Sequence, residues 1–361
     1  MTVLPGAQSA PFLLSKQPVI ERRRMVCGVL AALLLGAIIL SAAHGPANIP
    51  YGDVARLLLR GLGLPVGLDL PDRDFAIVNA IRLPRILIGA LVGAALACSG
   101  AAMQGIFRNP LADPGLLGIT AGAGLAAVAA ITGGLVNIGL LALPAFAFGG
   151  ALVASLLVYS LAMVRGRADT ATLILAGMAV SALLSALTTL RLLSANDYTA
   201  VQAALSWLFG GLQGRGWEHF RVVVLPILLA LLATLAYSRD LNILLSGEEG
   251  AQSLGVNVPR TRFVVLALTS LMTGAAVSIA GGIGFIGLVV PHMLRLIVGP
   301  DHRVLLPASA LGGAVFLVLA DTVARLVIQP AEIQVGVLTA LLGAPFFLFL
   351  LARQRKQIIG P

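Results

Sequence analysis

Charged side chains are scarce in this chain of 361 residues: Asp, Glu, Lys and Arg make up 11% of it, while apolar residues make up 58%. A soluble domain carries about 25% charged residues, because it must cover its surface with polar side chains. The shortage excludes a soluble enzyme and a disordered chain. Lysine is scarcest, since Lys16 and Lys356 are the only two among 24 basic residues.

The scarcity of lysine, cysteine and histidine excludes further classes. Neither lysine follows a glycine-rich loop, so the chain cannot be its own P-loop ATPase. Cys27 and Cys98 both lie in apolar runs, so no disulfide framework or CxxC zinc pair is present, and the four histidines are far apart in sequence. The arginines are dispersed between apolar runs instead of clustered, which argues against a nucleic-acid binder.

What is abundant is apolar sequence in runs of roughly 20 residues, the length a helix needs to cross a bilayer. Ten such runs predict an all-α, polytopic membrane protein, with a cytoplasmic tail at 1–25, a transmembrane domain at 26–352 and a cytoplasmic tail at 353–361. The third and eighth runs are short. The predicted spans are Val26–Ala43, Ile86–Phe107, Leu116–Ile131, Ile138–Val164, Ala171–Leu193, Val222–Tyr237, Phe263–Ala280, Phe285–Val298, Val304–Val323 and Val335–Leu351.

The distribution of basic residues predicts the orientation. With the N-terminus inside, about fifteen basic residues fall on the cytoplasmic side and about eight on the other, as the positive-inside rule requires. Both termini are therefore predicted to lie in the cytoplasm. The segment Tyr51–Leu62, on the outer side, has one apolar face and predicts a helix lying in the membrane interface; the alternative is a plain loop.

An internal repeat is indicated by two matching patterns of small residues. Gly93, Gly100 and Pro110 recur 181 residues later as Gly274, Gly281 and Pro291. The copies begin five spans apart and so run in opposite directions, as in the inverted repeats of transporters. The alternative is that these small residues only let helices pack closely.

A transporter needs an energy source. Ion-coupled transporters place carboxylates within the membrane, but only Asp321 lies clearly inside an apolar run, so ion-coupled secondary transport has little support. The polar segment Ser238–Arg262 contains a predicted short helix with acids in its first turn. This helix offers a docking surface for a cytoplasmic ATPase; the alternative is a solvated loop.

Several longer motifs resemble one family, the permease subunits of ABC importers for iron-siderophores, haem and vitamin B12. The resemblance runs from the first span to the C-terminus. The motifs are Arg82–Arg85, Asn109–Gly118, Gly284–His292, Asp301–Arg303 and Thr339–Phe347.

The resemblance implies a homodimer with the substrate path on its two-fold axis, two copies of a separate ATPase below, and a periplasmic substrate-binding protein above. In similar permeases, outward-facing arginines pair with acids of the binding protein. Arg82, Arg85 and Arg325 match them, and an arginine fork suits carboxylates. The alternative for Arg82 and Arg85 is snorkelling beside a span.

The resemblance also implies residues at the cytoplasmic end. Asn109 and Leu111 match positions that narrow the path there, although Asn109 could instead only cap the following turn. The segment that seats in the ATPase groove matches six residues: Glu248, Glu249, Gly250, Ser253, Leu254 and Gly255.

The cargo is predicted from likeness and from one arginine. Arg191 falls near the outer end of the fifth span, where it could attract the propionates of haem; if that span ends early, Arg191 snorkels outward. Haem is the favoured substrate, then an iron-siderophore, then cobalamin. No cofactor is expected to be held permanently, since ATP would be used by the partner.

Overall fold

The computed structural model describes residues 18–61, 63–64, 71–164, 167–168, 170–328 and 331–359, and the side chains of 164–170 and 350–359 fall outside this description. The described chain is almost entirely helical. Its α-helices are α1 (Val19–Ala43), α2 (Tyr51–Gly61), α3 (Asp72–Ala76), α4 (Leu83–Phe107), α5 (Ile119–Thr132), α6 (Ala142–Leu161), α7 (Thr170–Leu193), α8 (Tyr198–Leu208), α9 (Trp217–Ala236), α10 (Ser238–Leu244), α11 (Glu248–Ser253), α12 (Val258–Ala280), α13 (Ile286–Val298), α14 (His302–Leu326) and α15 (Val335–Ile359).

Short irregular elements join some of these helices. A π-helical segment, Ile77–Arg82, makes α3 and α4 one continuous helical run, and 3₁₀ turns occupy Pro114–Leu117 and Leu135–Ile138. Two antiparallel strands of two residues each, β1 (Met163–Val164) and β2 (Arg167–Ala168), form a hairpin between α6 and α7.

The predicted set of ten spans is confirmed in the described part of the chain. Seven helices there are long and apolar enough to cross a membrane, and three apolar helices are shorter: Ile119–Thr132, Ile286–Val298 and Val335–Phe349. The first two of these correspond to the third and eighth predicted spans, which are short in the sequence as well. The fold is therefore the all-α polytopic membrane protein that the apolar runs predict.

The helices differ in how deeply they lie in the bundle. The most apolar stretch of Asp72–Phe107 is 78% buried and that of Val258–Ala280 is 72% buried, while that of α1 is only 17% buried. Thus α4 and α12, with α14 at 67%, form the centre of the bundle. Helices such as α1 present large apolar side chains outward, as expected for a surface that faces lipid.

Glycine contacts hold the central helices together. A Cβ added at Gly93 would lie 2.2 Å from the carbonyl oxygen of Gly313 on α14, and one at Gly100 would lie 1.8 Å from that of Gly287 on α13. Both separations are far below van der Waals contact, so only glycine permits these crossings. The packing role of the small residues is therefore visible, while the inverted repeat stays a prediction.

Helices α3, α8 and α10 were not predicted. The sequence reading left 198–208 between spans, but α8 forms there because Asp197 caps it, accepting a hydrogen bond of 2.9 Å from the Thr199 amide. The Thr199 hydrogen bonds also lower the pKa of the Asp197 carboxyl. Helix α10 precedes the predicted acidic helix, so the cytoplasmic segment contains two short helices.

The ends of the chain were predicted as tails at 1–25 and 353–361. Residues 1–17, 360 and 361 lie outside the described part of the chain. Helix α1 begins at Val19, before the predicted span, and Arg22 within its first turns is buried beside Asp301, with 4.0 Å between Nη2 and a carboxylate oxygen. The helix predicted at Tyr51–Leu62 is present as α2, and its position in the membrane interface stays a prediction.

Candidate functional site

Two arginines and two acids form a cluster, which we call the Asp321 cluster (Arg85, Asp321, Arg325 and Glu332). Arg85 donates Nη2 to Asp321 at 2.9 Å and Nη1 to Glu332 at 2.9 Å, while Arg325 donates Nε to Asp321 at 3.1 Å. Asp321 is 2% exposed, so it is stabilised as an anion by two guanidinium groups.

The end of α1 completes the surroundings of these arginines. Arg325 also donates Nη2 to the Ser41 hydroxyl at 2.7 Å. Arg82 donates Nη1 to the Ala42 carbonyl at 2.6 Å and Nη2 to the Ala47 carbonyl. The last carbonyls of a helix lack partners within the helix and carry partial negative charge, so a cation is favoured there.

Arg82, Arg85 and Arg325 were predicted as outward-facing docking residues for a binding protein. The structure brings all three to one end of the bundle, but it buries them, with exposures of 5%, 9% and 6%. Snorkelling, the alternative for Arg82 and Arg85, does not describe these two either, because both are held by internal acceptors. Docking stays a prediction, and in this conformation a partner's acids would have to compete with Asp321 and Glu332.

Sequence reasoning missed the role of Glu332. Asp321 could be recognised as the one acid clearly inside an apolar run, but Glu332 lies in a loop segment, 247 residues from Arg85, and no motif links the two. Only the packing of α4 against α14 brings them together.

Arg191 lies in the last turn of α7, as the fifth predicted span requires. Its side chain is half-buried, with Nη2 close to Gly133 at the end of α5: a Cβ added at Gly133 would lie 3.9 Å away. Within the described residues its guanidinium has no ion pair.

A cavity of about 340 Å³ opens near Arg191, and its lining includes Ile131, Ser206, Arg215 and Gln334. Burial lowers the pKa of the Arg215 guanidinium, and Arg215 Nε has no hydrogen-bond partner in the described part of the chain. Gln334 donates Nε2 to the Ser206 hydroxyl at 2.7 Å, and both side chains line the cavity. The cavity is thus lined by one cation, Arg215, and Arg191 lies outside its lining. Neither arginine has an acidic partner among the described residues.

The predicted cytoplasmic gate lies in the break between α4 and α5. Arg108 ends α4 in the left-handed conformation, with φ of 48°, and the Asn109 side chain accepts a hydrogen bond of 2.9 Å from the Leu111 amide. Asn109 therefore caps the following turn, as the alternative reading had it, and Leu111 is 39% exposed. Their role in the path stays a prediction.

The acid that follows, Asp113, turns inward. Its Oδ1 accepts a hydrogen bond of 2.8 Å from the Gly115 amide, and Oδ2 would be 3.0 Å from a Cβ added at Gly287. Burial raises the pKa of the Asp113 carboxyl. This motif acid thus caps the 3₁₀ turn Pro114–Leu117 and lies beside Gly287 of α13.

The predicted coupling segment is confirmed as a helix, α11, with Glu248 and Glu249 in its first turn. Helices α10 and α11 present an exposed surface, which we call the coupling surface (Leu245, Glu248, Glu249, Gln252, Ser253, Leu254 and Gly255). Leu254 is 64% exposed and Leu245 is 42% exposed. Exposed apolar side chains rimmed by acids are typical of a protein-docking surface.

Two anchors fix the coupling surface to the central helices. Glu248 forms an ion pair of 2.5 Å with Arg262 on α12. Asn242 of α10 donates to Asp301 at 2.6 Å and accepts from the His302 amide at 2.8 Å, at the start of α14. A displacement of α10 and α11 would therefore be passed directly to α12 and α14. Asn242 carried no signal in the sequence, because it falls in no recognised motif.

Seven long apolar helices and three shorter ones, packed through glycines in the described part of the chain, define a polytopic membrane protein. Residues 33–353 match the model of the FecCD transport family, so the chain belongs to that family and is an ABC importer permease.

Relatives agree on the class and differ in cargo. The chain is 45% identical over 350 residues to the cobalamin import system permease protein BtuC of Halobacterium salinarum, covering 88% of this chain and 93% of that protein. It is 46% identical over 289 residues to the hemin transport system permease protein HmuU of Yersinia pestis, covering 78% of this chain and 84% of that protein. It is 44% identical over 322 residues to the Fe(3+) dicitrate transport system permease protein FecD of Escherichia coli, covering 89% of this chain and 96% of that protein.

The fold agrees with a solved structure of an ABC transporter of the metal-chelate type in an inward-facing conformation. The two chains superpose with a TM-score of 0.78 at 33% identity, covering 91% of this chain and 99% of the other.

Proposed function

We propose that two copies of this chain form the path of an ATP-driven importer that carries haem from the periplasm to the cytoplasm across a bacterial inner membrane. Two copies of a cytoplasmic ATPase would bind at the coupling surface, and a periplasmic substrate-binding protein would dock at the end that holds Arg82, Arg85 and Arg325. No cofactor would be held permanently, since ATP is consumed by the partner.

The coupling surface is the observation that carries this proposal. It is exposed, acidic and apolar, and it is tied to α12 by Glu248 and to α14 by Asn242. A chain that lacks a P-loop lysine must receive its energy from another subunit. A rigidly anchored docking surface on the cytoplasmic side is the element through which that energy would reach the spans.

The two half-buried arginines favour an anionic cargo. Neither Arg191 nor Arg215 has an acidic partner among the described residues, and a cation in a site of low dielectric constant attracts anions strongly. Haem carries two propionates, and iron-siderophores often carry negative charge, whereas cobalamin has less need of such cations. Because relatives with all three kinds of cargo share 44–46% identity with this chain, identity alone does not rank them.

Reconstitution tests the proposal. The chain would be placed in liposomes with its ATPase and binding protein, and ATP-driven uptake of haem, a ferric siderophore and cobalamin would be measured separately. We expect haem uptake with ATP, and no ATP hydrolysis by the purified chain alone. Uptake of a siderophore or cobalamin but not of haem would overturn the assignment of haem as cargo. The assignment of the chain as an importer permease would stand.

Arg191 provides the sharper version of the test. Arg191→Ala should slow haem uptake, and Arg191→Lys should retain more of it, because lysine keeps the charge. Arg221→Ala is the matched control, since Arg221 lies on the surface, 70% exposed and paired with Glu218. Equal uptake by both alanine variants would show that Arg191 does not steer the cargo.

Ion-coupled secondary transport is the alternative of another class. Its natural coupling site would be Asp321, but this carboxylate already binds Arg85 and Arg325. Uptake driven by a proton or sodium gradient without ATP, in liposomes holding the chain alone, would favour this alternative.

A further inference from the structure

An apolar groove of about 500 Å³ runs between α1, α2, α4 and α9, away from the cavity and the coupling surface. Its lining includes Leu35, Leu57, Phe75 and Trp217. Leu35 is 54% exposed and Phe75 is 42% exposed, so the groove opens to the surroundings of the bundle.

The groove is lined by residues of α1 and of α2, the helix predicted to lie in the membrane interface. Leu35 precedes the end of α1 by eight residues, which at 1.5 Å per residue places it about 12 Å deeper than that end. Trp217 donates Nε1 to the Asn79 carbonyl at 2.8 Å. Tryptophan is enriched at the membrane interface, which agrees with the predicted interfacial position of α2 on the same groove.

Two polar side chains are among those that line this groove. Arg60, in the last turn of α2, and Asn79, in the π-helical segment, both line it. Across the described ranges, neither the Arg60 guanidinium nor the Asn79 side-chain amide has a hydrogen-bond or ionic partner. The other arginine of α2, Arg56, is instead paired with Asp53 at 3.0 Å.

We propose that the groove binds one anionic phospholipid, with an acyl chain between α1 and α4 and the phosphate at Arg60 and Asn79. An acyl chain gains little by leaving the surrounding lipid, because lipid tails are as apolar as the groove. Selectivity must therefore come from the headgroup. A guanidinium and an amide together supply donors that match phosphate oxygens, and the cation favours a headgroup with net negative charge.

This site is separate from the residues assigned to transport, so it does not depend on the proposed cargo. It would secure α2 and the start of the Asp72–Phe107 run to the membrane. The same run contains Arg82 and Arg85. A bound lipid would therefore stabilise the position of the helix that carries these two arginines.

Fluorescence quenching by brominated lipid tests the proposal, because the chain has two tryptophans. In a Trp207→Phe background, Trp217 alone reports on the groove. The protein would be placed in bilayers of phosphatidylcholine containing brominated phosphatidylglycerol or brominated phosphatidylcholine, and the relative association constants measured. We expect a preference of about fivefold for phosphatidylglycerol, the ratio that one arginine near an anionic lipid supports.

Variants of α2 separate the binding site from general attraction to the surface. Arg60→Gln should lower the preference to about one, and Arg60→Lys should retain part of it. Arg56→Gln is the matched control, since it removes the same charge from the same helix outside the groove, and it should keep the preference.

Three results would overturn the proposal: equal quenching by the two brominated lipids, equal loss in the Arg56→Gln and Arg60→Gln variants, or a preference that salt does not reduce. A second copy of the chain in the groove would give a different result. Both lipids would then quench weakly, and quenching would become stronger when the protein is diluted in the bilayer, because the copies would separate.

Discussion

At the scale of single residues, Asp321 organises the largest buried ion cluster that the structure describes. It accepts hydrogen bonds from Arg85 and Arg325, and α4 and α14 are joined through it. Asp321→Asn keeps the shape but leaves two buried cations with only Glu332. We expect this change to lower the free energy of unfolding by about 3–5 kcal/mol, the cost of breaking a buried pair. Thermal unfolding of the protein in detergent would measure it.

The control for that variant is Glu218→Gln. Glu218 pairs with Arg221 at 3.0 Å, but both side chains are more than half exposed. An exposed pair contributes about 0–1 kcal/mol. Equal shifts in the melting temperature of the two variants would show that the Asp321 cluster contributes no more than a surface pair.

Glu332 bears on docking in a different way. Its side chain is 29% exposed, and it pairs with Arg85 at 2.9 Å. If acids of a binding protein exchange with Glu332, then Glu332→Gln should strengthen binding, because Arg85 would lose an internal competitor. Surface plasmon resonance with the substrate-binding protein would measure this as a lower Kd. An unchanged Kd at both low and high salt would exclude the exchange.

At the scale of helices, the crossing of α4 over α13 depends on Gly100. Gly100→Ala should destabilise the protein by about 1–3 kcal/mol or more, since its Cβ would overlap the backbone of Gly287, which cannot give way as a side chain can. Gly36→Ala is the control, because a Cβ at Gly36 in α1 meets nothing within 4 Å. There alanine should be neutral or slightly stabilising. A melting temperature lowered equally by both would refute the crossing as described.

Helix α11 yields a second prediction at this scale. Changing both acids of its first turn would also break the ion pair of Glu248 with Arg262, so the sharper variant is Glu249→Arg alone. Like charges across an interface cost several kcal/mol. If a basic groove of the ATPase receives this helix, co-purification of the ATPase should fall by about tenfold or more.

Glu218→Arg makes the same charge change far from the coupling surface and should leave assembly intact. Normal assembly of the Glu249→Arg variant with the ATPase would place the contact elsewhere.

At the scale of the whole molecule, the predicted orientation can be tested by cysteine labelling. In a background without Cys27 and Cys98, Leu254→Cys and Tyr198→Cys introduce single thiols at sites that are 64% and 74% exposed. A membrane-impermeant maleimide added to intact spheroplasts should label the thiol at 198 and not that at 254. The reverse labelling pattern would show that the chain has the opposite orientation in the membrane.

Much of the architecture follows from the sequence alone. The number of spans, the short third and eighth spans, the helix α2 and the acidic helix α11 could be predicted, because each depends on local hydropathy, length or capping. Helix α8 shows the limit of that reasoning, since its cap, Asp197, was not recognised. The six residues assigned to coupling were likewise found by motif, and they lie together because they are neighbours in the chain.

Only the tertiary structure decided how distant residues are used. Arg82, Arg85 and Arg325 can be recognised as arginines near span ends, but their burial depends on α1, α4 and α14 meeting at one end of the bundle. Glu332 and Asn242 have no local signal, since their partners lie 247 and about 60 residues away. Hydropathy records which residues enter the membrane; it holds no information about which faces of the helices meet. Those contacts arise from glycine crossings and buried ion pairs, whose energies exist only once the helices have packed.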